Sequence, residues 1–451
     1  MQRTLIKNAT IVNEGRSLRG SVVIGSDGNI ESLPAEGEAP ATPCPQTIDA
    51  TGCYLLPGVI DEHVHFREPG LTQKADILSE SRAAAAGGVT SIMDMPNTNP
   101  QTTTLDALAA KQELLNERCI VNHSCYYGAT NTNYRDFARL DGRRVCGIKL
   151  FMGSSTGNML VDQADSLMHI FDGTDLLIAT HCEDQAVIAA NSARYRERFA
   201  TEGDGEVPLA KHPAIRSAEA CYRSTHLAVE LARKTGARLH VMHLSTAREL
   251  ALFSPQALDG SKRITAEACV AHLLFTSADY RGLGARIKCN PAVKRRSDRE
   301  ALRAALQDGR IDTIATDHAP HLLTDKAGGA LRAASGMPMV QFSLPAMLDL
   351  ASQGVLSMET LVEKMCHAPA RLYRMERRGY IRPGYRADLV LVRPSEWTLS
   401  KADIRSKCGW SPLEGYTFGW RVERTIVNGH TVYDGTTVDN TYRGEELLFC
   451  P

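Results

Sequence analysis

The most informative segment of the sequence spans residues 58 to 67 and reads Gly58-Val59-Ile60-Asp61-Glu62-His63-Val64-His65-Phe66-Arg67. Its opening apolar run is typical of a buried strand, and polar side chains follow where the strand ends. Because side chains alternate along a strand, His63, His65 and Arg67 lie on one face. The same order, an apolar strand followed by side chains that bind metals or anions, recurs along the chain.

Between residues 57 and 368, short runs rich in valine and isoleucine alternate with stretches of helical spacing. We predict eight strands near Gly58–His65, Val89–Met95, Ile120–Tyr126, Val145–Phe151, Leu176–His181, Arg238–His243, Lys262–Ala266 and Ile311–Asp317. Helices are predicted between them, including Lys74–Ala86, Leu105–Glu117, Ser217–Thr235 and Asp298–Gln307. Eight βα units of this kind predict an α/β protein with a (β/α)8 TIM barrel.

Two β-rich ends, residues 1–56 and 369–451, bracket this middle region. Each alternates polar and apolar residues and is broken by turn signals such as Asp27-Gly28 and Asn428-Gly429. A chain of 451 residues therefore contains one large domain and additional β structure.

The overall composition indicates a globular protein without an electrostatic preference for polyanions. Lysine and arginine number 51 against 52 aspartates and glutamates, for a net charge of -1. This balance argues against nucleic acid and acidic membranes as partners. The beginning of the chain lacks a signal-like apolar stretch, and no run of about 18 apolar residues occurs. We therefore expect a cytoplasmic protein.

The 12 cysteines contain no Cys-x-x-Cys pair. In a chain of this length without a secretory signal, we expect reduced and mostly buried thiols. A thiolate zinc site is not indicated, so any metal must be bound by histidine and carboxylate side chains.

Polar side chains collect at the carboxyl ends of the predicted strands, which form the active face of a barrel. They are His63, His65, Arg67, Asn97, Lys149, His181, His243 and Asp317. Alone, each has a structural alternative: histidines can hydrogen-bond within the core, and Asp317 can cap the next helix. Their common location favours a functional site, whereas His240 is expected to face elsewhere and serve packing.

Four imidazoles and one aspartate exceed the ligands of a single tetrahedral ion and suit two divalent ions such as zinc. Two such ions need a bridging anion, and Lys149 lies at the end of the strand between their ligands. A buried amine near cations favours its neutral form, which can add carbon dioxide and become a carbamate. The alternative is an ion pair of Lys149 with Asp317 or Asp94, and the residues alone leave both open.

The combined motifs resemble those of the amidohydrolase superfamily and, within it, the dihydroorotases. The carrying segments are Asp61-Glu62-His63-Val64-His65-Phe66-Arg67-Glu68-Pro69-Gly70, Met95-Pro96-Asn97-Thr98, Lys149-Leu150-Phe151, His181-Cys182-Glu183-Asp184, His240-Val241-Met242-His243-Leu244-Ser245-Thr246 and Thr316-Asp317-His318-Ala319-Pro320-His321. The resemblance covers nearly the whole chain. It implies an amidohydrolase barrel over 57–368 and one small β-sandwich domain built from 1–56 and 369–451.

The resemblance also implies roles for individual residues. His63, His65 and Asp317 would bind one zinc ion, His181 and His243 the other, and carboxylated Lys149 would bridge both. Some related bacterial enzymes use an aspartate as the bridge, for which Asp162 is the candidate here. Substrate would be held by Arg67, Asn97, Asn290 and His321. The seventh strand lacks the Pro-His-His sequence that often ends it in the family, and this leaves the roles of Glu267 and His272 open.

The implied activity is reversible hydrolysis of (S)-dihydroorotate to N-carbamoyl-L-aspartate in de novo pyrimidine biosynthesis. A metal-bound water with a pKa of about 7 would provide a bridging hydroxide, and Asp317 would act as general base and then general acid. A homodimer and association with aspartate transcarbamoylase are further expectations from the resemblance.

Two alternatives remain at this stage. A hydantoinase, dihydropyrimidinase or allantoinase would use the same metals on another cyclic amide, but allantoinases tend to carry asparagine at the position of Arg67. A non-catalytic structural partner of aspartate transcarbamoylase would be expected to have lost metal ligands, which this chain retains. The glycine-rich segment 322–338 is either a mobile lid or a passive connection.

Overall fold

The computed structural model of the chain describes residues 1–153, 159–202 and 205–450. Its strands are β1 (Thr4–Asn13), β2 (Arg16–Ile24), β3 (Ile30–Ser32), β4 (Gln46–Asp49), β5 (Tyr54–Pro57), β6 (Val59–Val64), β7 (Val89–Asp94), β8 (Asn122–Cys125), β9 (Tyr127–Gly128), β10 (Ile148–Phe151), β11 (Ile178–His181), β12 (Leu239–Val241), β13 (Ile264–Cys269), β14 (Thr313–Ala315), β15 (Leu389–Thr398), β16 (Thr417–Val427) and β17 (His430–Tyr433).

The α-helices are α1 (Ile77–Ala86), α2 (Leu105–Arg118), α3 (Ala164–Asp172), α4 (Gln185–Glu202), α5 (His212–Ile215), α6 (Ala218–Thr235), α7 (Val270–Leu274), α8 (Tyr280–Leu283), α9 (Arg296–Asp308), α10 (Ser343–Ser352), α11 (Met358–Val362) and α12 (Ala368–Leu372). Each of the four helices named from the sequence lies within a few residues of its predicted position. Helix α1 begins where the Asp76 side chain accepts a hydrogen bond from the Ser79 amide, which satisfies one of the free donors of the first turn.

Strands β6 to β14 form the barrel. Two parallel sheets, β6-β7-β8 and β9-β10-β11-β12-β13-β14, supply the wall, and a parallel bridge between Val64 and His318 joins the last unit to the first. The predicted third strand is divided into β8 and β9 on either side of Tyr126. Because the strands are parallel, their carboxyl ends meet at one mouth. The predicted α/β barrel fold is confirmed.

A second sheet contains strands from both ends of the chain, in the order β17-β16-β15-β5-β1-β2-β3 with β4 also paired to β1. Strand β5 joins the two ends, because it pairs with β1 in parallel and with β15 antiparallel. Leu55 of β5 packs in a core with Ile6, Val22 and Leu389. The small β domain is therefore built from both termini, while the exact boundaries at 56/57 and 368/369 stay predictions.

A buried ion pair supports the end of the first barrel strand. Lys111 Nζ lies 2.7 Å from Asp94 Oδ2, and neither side chain is exposed to solvent. Asp94 also accepts a hydrogen bond of 2.8 Å from the amide of Phe66, between His65 and Arg67. The pair therefore fixes the backbone that carries these two side chains.

The segment between β15 and β16 leaves the small domain and reaches the barrel mouth. The indole of the fully buried Trp410 donates a hydrogen bond of 2.7 Å to the backbone oxygen of His321. Ser406 donates to Glu80 of α1 at 2.6 Å. The C-terminal part of the chain thus supports a residue predicted to bind substrate.

All 12 cysteines are free thiols and most are buried, as expected from their spacing. Within the described residues, no helix combines the length and apolar character needed to cross a membrane.

Candidate active site

A cavity of about 850 Å³ opens at the carboxyl ends of the barrel strands. All ten residues predicted to bind metal or substrate line it: His63, His65, Arg67, Asn97, Lys149, His181, His243, Asn290, Asp317 and His321. The structure therefore brings together side chains from every part of the barrel at the mouth where the sequence placed them.

His63 and His65 direct their Nε2 atoms to Asp317, whose Oδ1 lies 3.3 Å and 3.0 Å away, respectively. Their Nδ1 atoms face acceptors on the side away from Asp317, Glu267 Oε1 at 2.9 Å and Asn97 Oδ1 at 2.7 Å. Such acceptors favour the proton on Nδ1 and leave the Nε2 lone pair directed inward, as metal-binding histidines require. The three side chains thus fit one divalent ion.

His181 and His243 form the second group. His181 Nδ1 lies 2.8 Å from His243 Nε2, and His181 Nε2 lies 3.0 Å from Glu183 Oε2. Glu183 is also paired with Arg216, which fixes the carboxylate behind the imidazole. Burial lowers the pKa of both histidines, so their rings are neutral and able to bind a metal. The same cause lowers the pKa of His65 to about 4.

Lys149 lies on β10 and is buried, with only 1% of its surface exposed. Its Nζ lies 2.8 Å from the sulfur of Met242, and it forms no salt bridge with a carboxylate among the described residues. Burial lowers its pKa to about 8. The lowered pKa makes the neutral form, which carbamate formation requires, accessible at mildly alkaline pH.

The alternatives considered from the sequence were an ion pair of Lys149 with an aspartate and Asp162 as the bridging residue, and the structure supports neither. Asp94 is already paired with Lys111 at 2.7 Å. Asp162 is exposed, accepts a hydrogen bond of 3.3 Å from Asn131, and does not line the cavity. His240 contacts Thr265 at 2.8 Å and does not line the cavity either, which fits the packing role expected for it.

Three of the site residues have left-handed backbone conformations. The φ angles are 69° for Arg67, 42° for His243 and 50° for Asp317. Residues other than glycine adopt this region at a cost of about 1–3 kcal/mol, and such strain is concentrated at functional sites. The fold therefore tolerates strain where it directs these side chains into the cavity.

The substrate end of the cavity is cationic. The Arg67 guanidinium donates a hydrogen bond of 3.0 Å from Nε to the Pro320 carbonyl, and burial lowers its pKa to about 10, so it stays charged at neutral pH. The buried Asn290 Oδ1 has no hydrogen-bond partner among the described residues. A buried cation and an unpaired amide oxygen can bind a carboxylate and a ring N–H, respectively.

The structure gives hydrogen-bond partners for Glu267 and His272, whose roles the sequence left open, and for Glu183, to which the sequence assigned none. Glu267 faces His63 and also accepts a hydrogen bond of 2.9 Å from the His243 amide. Glu183 supports His181 and stands two residues after it, so its position was a signal that could have been used. His272 Nε2 lies 2.9 Å from the Pro291 carbonyl and supports the turn beside Asn290.

The segment 322–338 is fixed over the cavity by a buried lysine. The Lys326 ammonium donates to the carbonyls of Lys288, Ala334 and Gly336 at 3.1, 2.8 and 2.7 Å. Residues 333–336 line the cavity. In this structure the segment packs against the barrel and forms part of the cavity wall.

Comparisons with known proteins agree with this geometry. Residues 54–432 match the model of the amidohydrolase family. The chain is 35% identical over 436 residues to a dihydroorotase of Halobacterium salinarum, covering 94% of this chain and 97% of the relative. It is 34% identical over 442 residues to an allantoinase of Rubrobacter xylanophilus, covering 95% of each.

Among solved structures, an L-hydantoinase (dihydropyrimidinase) from Arthrobacter aurescens superposes with a TM-score of 0.89 at 28% identity, covering 97% of this chain and 98% of that one. The family match spans most of the chain, and the relatives span almost all of it. The chain therefore belongs to the amidohydrolase family and resembles its members that act on cyclic amides.

Proposed function

We propose that this protein is a zinc-dependent dihydroorotase that interconverts (S)-dihydroorotate and N-carbamoyl-L-aspartate in pyrimidine biosynthesis. The observation that carries the proposal is the buried Arg67 guanidinium, which lines the same cavity as the metal-binding histidines and Asp317. Dihydroorotate differs from simple hydantoins in its exocyclic carboxylate, and a guanidinium binds a carboxylate through two parallel hydrogen bonds.

Two divalent ions would be held in this cavity by His63, His65, Asp317, His181, His243 and carboxylated Lys149. When bound, the ions polarise the ring carbonyl and lower the pKa of water enough to make it a nucleophile at neutral pH. Arg67, Asn97, Asn290 and His321 orient the ring so that its amide carbonyl faces Asp317.

Asp317 is the residue that moves the proton. Burial alone would raise its pKa, but the neighbouring imidazoles, first His63, outweigh that effect and hold the pKa well below its usual range. It therefore begins as a carboxylate that accepts the proton of the attacking water. It then delivers this proton to the departing ring nitrogen, and the reverse order closes the ring.

A second function is favoured by specific relatives. The similarity to the allantoinase and to the L-hydantoinase supports a different cyclic amide as substrate. Those activities use the same ring-opening chemistry, so the choice between the two functions depends on which substrate group Arg67 binds.

The deciding experiment compares substrates on one preparation of zinc-loaded protein. We expect hydrolysis of dihydroorotate with a kcat/KM at least about tenfold above those for allantoin, hydantoin and dihydrouracil, because one extra charged contact contributes about 1.5–3 kcal/mol. Faster hydrolysis of allantoin or hydantoin would replace the proposal with the second function. Failure of the protein to take up zinc during loading, together with absence of all four activities, would favour a structural role.

A further inference from the structure

His321 lies between two cationic side chains. Lys74 Nζ is 3.2 Å from its Nδ1, and Arg67 Nη2 is 3.1 Å from its Nε2. The side chains of Lys74, Arg67 and His321 all line the cavity. Asp325 Oδ2 lies 3.7 Å from Lys74 Nζ and 3.7 Å from His321 Nδ1, beyond hydrogen-bond distance of either.

These contacts cannot both be hydrogen bonds. A neutral imidazole has one N–H and one lone pair, and both the ammonium and the guanidinium can only donate. One of the two ring nitrogens therefore carries a proton that faces another donor.

The two tautomers have different consequences for the cavity. With the proton on Nδ1, the ring accepts from Arg67, and His321 offers no donor to a ligand beside the guanidinium. With the proton on Nε2, Lys74 donates to Nδ1, and Nε2–H and Arg67 Nη2 form a pair of adjacent donors. An acceptor that contacts both donors relieves their mutual repulsion, and a carboxylate has the geometry for it.

We propose that Lys74 is a positioning residue that holds His321 in its Nε2–H tautomer, so that His321 and Arg67 together bind the substrate carboxylate. The inference rests on the proposed function for the identity of that carboxylate. Lys74 suits this role because its backbone is fixed: its amide donates to the Leu71 carbonyl at 3.0 Å, and the Leu71 amide donates to the Arg67 carbonyl at 3.0 Å. The turn that follows Arg67 thus fixes the backbone position from which the Lys74 ammonium extends.

The first test measures the tautomer directly. Nitrogen-15 NMR of histidine-labelled protein, with the His321 signals assigned by comparison with His321→Asn, reports which nitrogen carries the proton. We expect Nε2–H in the wild-type protein and a shift toward Nδ1–H in Lys74→Met. A proton on Nδ1 in the wild-type protein overturns the proposal.

The second test measures binding and turnover. Lys74→Met should weaken binding of orotate, used as a carboxylate-bearing probe, by about tenfold or more, because a charge-assisted hydrogen bond is lost. The KM for dihydroorotate should rise in parallel while kcat changes by less than about threefold, and Lys74→Arg should restore most of the binding. Unchanged orotate affinity in Lys74→Met overturns the proposal.

Lys407→Met is the matched control. Lys407 pairs with Asp76, two residues from Lys74, at 2.8 Å, and its side chain is 41% exposed. Its removal takes away one positive charge close to the same turn and should leave orotate binding unchanged. If the wild-type protein neither binds orotate nor hydrolyses dihydroorotate, the proposed function fails, while the NMR result still decides the role of Lys74. The NMR result for the wild-type protein also stands if a variant fails to fold.

Discussion

One oxygen of Glu267 connects both halves of the candidate metal centre. Glu267 Oε1 lies 2.9 Å from His63 Nδ1 and accepts a hydrogen bond of 2.9 Å from the backbone amide of His243. His63 belongs to the group around Asp317, whereas His243 belongs to the group around His181. A single buried carboxylate thus orients a ligand of each proposed ion.

Glu267→Gln should therefore weaken metal binding. The amide keeps the shape of the side chain but removes the charge that favours the Nδ1–H form of His63, and loss of such a supporting group lowers metal affinity by about 10–100-fold. Competition with a chelator, followed by elemental analysis of the protein, measures this. Glu219→Gln, at a partly exposed glutamate of α6, is the control and should retain its zinc. Equal zinc retention by both variants would contradict the role assigned to Glu267.

Arg67→Met should damage the use of carboxylate-bearing substrates selectively. Loss of a charged hydrogen-bond pair should lower kcat/KM for dihydroorotate by about 10–150-fold, since such contacts are worth about 1.5–3 kcal/mol. Any activity toward neutral hydantoin should fall by less than about threefold. Arg67→Lys keeps the charge but not the planar fork and should recover only part of the loss. Equal losses on both substrates would show that Arg67 supports the fold or the metals instead.

Reconstitution of the metal-free protein should depend on pH through Lys149. Burial lowers the pKa of this amine from 10.5 to about 8. Since only the neutral amine adds carbon dioxide, its reactive fraction rises about tenfold per pH unit below pH 8 and levels off above it. The rate of activity recovery with zinc, measured at fixed dissolved carbon dioxide between pH 6 and 9, should follow this curve. Full recovery in buffer free of carbon dioxide would favour a bridge other than a carbamate.

Lys111→Met should destabilise the protein strongly. It leaves Asp94 as an unpaired buried charge, and breaking a buried pair costs about 3–5 kcal/mol in the free energy of unfolding. Adding Asp94→Asn should recover part of that loss, which a double-mutant cycle in urea measures. Lys234→Met, at an exposed position near the end of α6, should leave the urea midpoint unchanged. A loss smaller than about 1 kcal/mol in Lys111→Met would show that the interior adjusts to the charge.

The barrel and its polar mouth could be predicted because both depend on local pattern. Runs such as Ile178–His181 are short, apolar and buried, and a histidine ends the strand. Once eight such runs are aligned as parallel strands, their ends must meet at one mouth. That argument placed His63, His181, His243 and Asp317 in one cavity without reference to distances.

The supporting residues could not be predicted in the same way. Glu267 lies inside β13, and its partner His63 is 204 positions away, so the contact depends on how two strands align across the barrel. Lys74 lies on a loop, and its approach to His321 follows from the path of that loop. The departure of the seventh strand from the family pattern drew attention to Glu267 without giving it a role, and nothing in the local sequence distinguishes Lys74 from an ordinary charged side chain.

The hydrogen bond from Trp410 to the backbone of His321 spans 89 positions of sequence. All proposed metal ligands have been synthesised once residue 317 is made, but the support for His321 comes only with this later indole. Chains that end before residue 400 would therefore contain every proposed metal ligand but lack the hydrogen bond that supports His321 at the substrate end of the cavity. The substrate end of the cavity is thus completed by a segment that belongs to neither the barrel wall nor the terminal sheet.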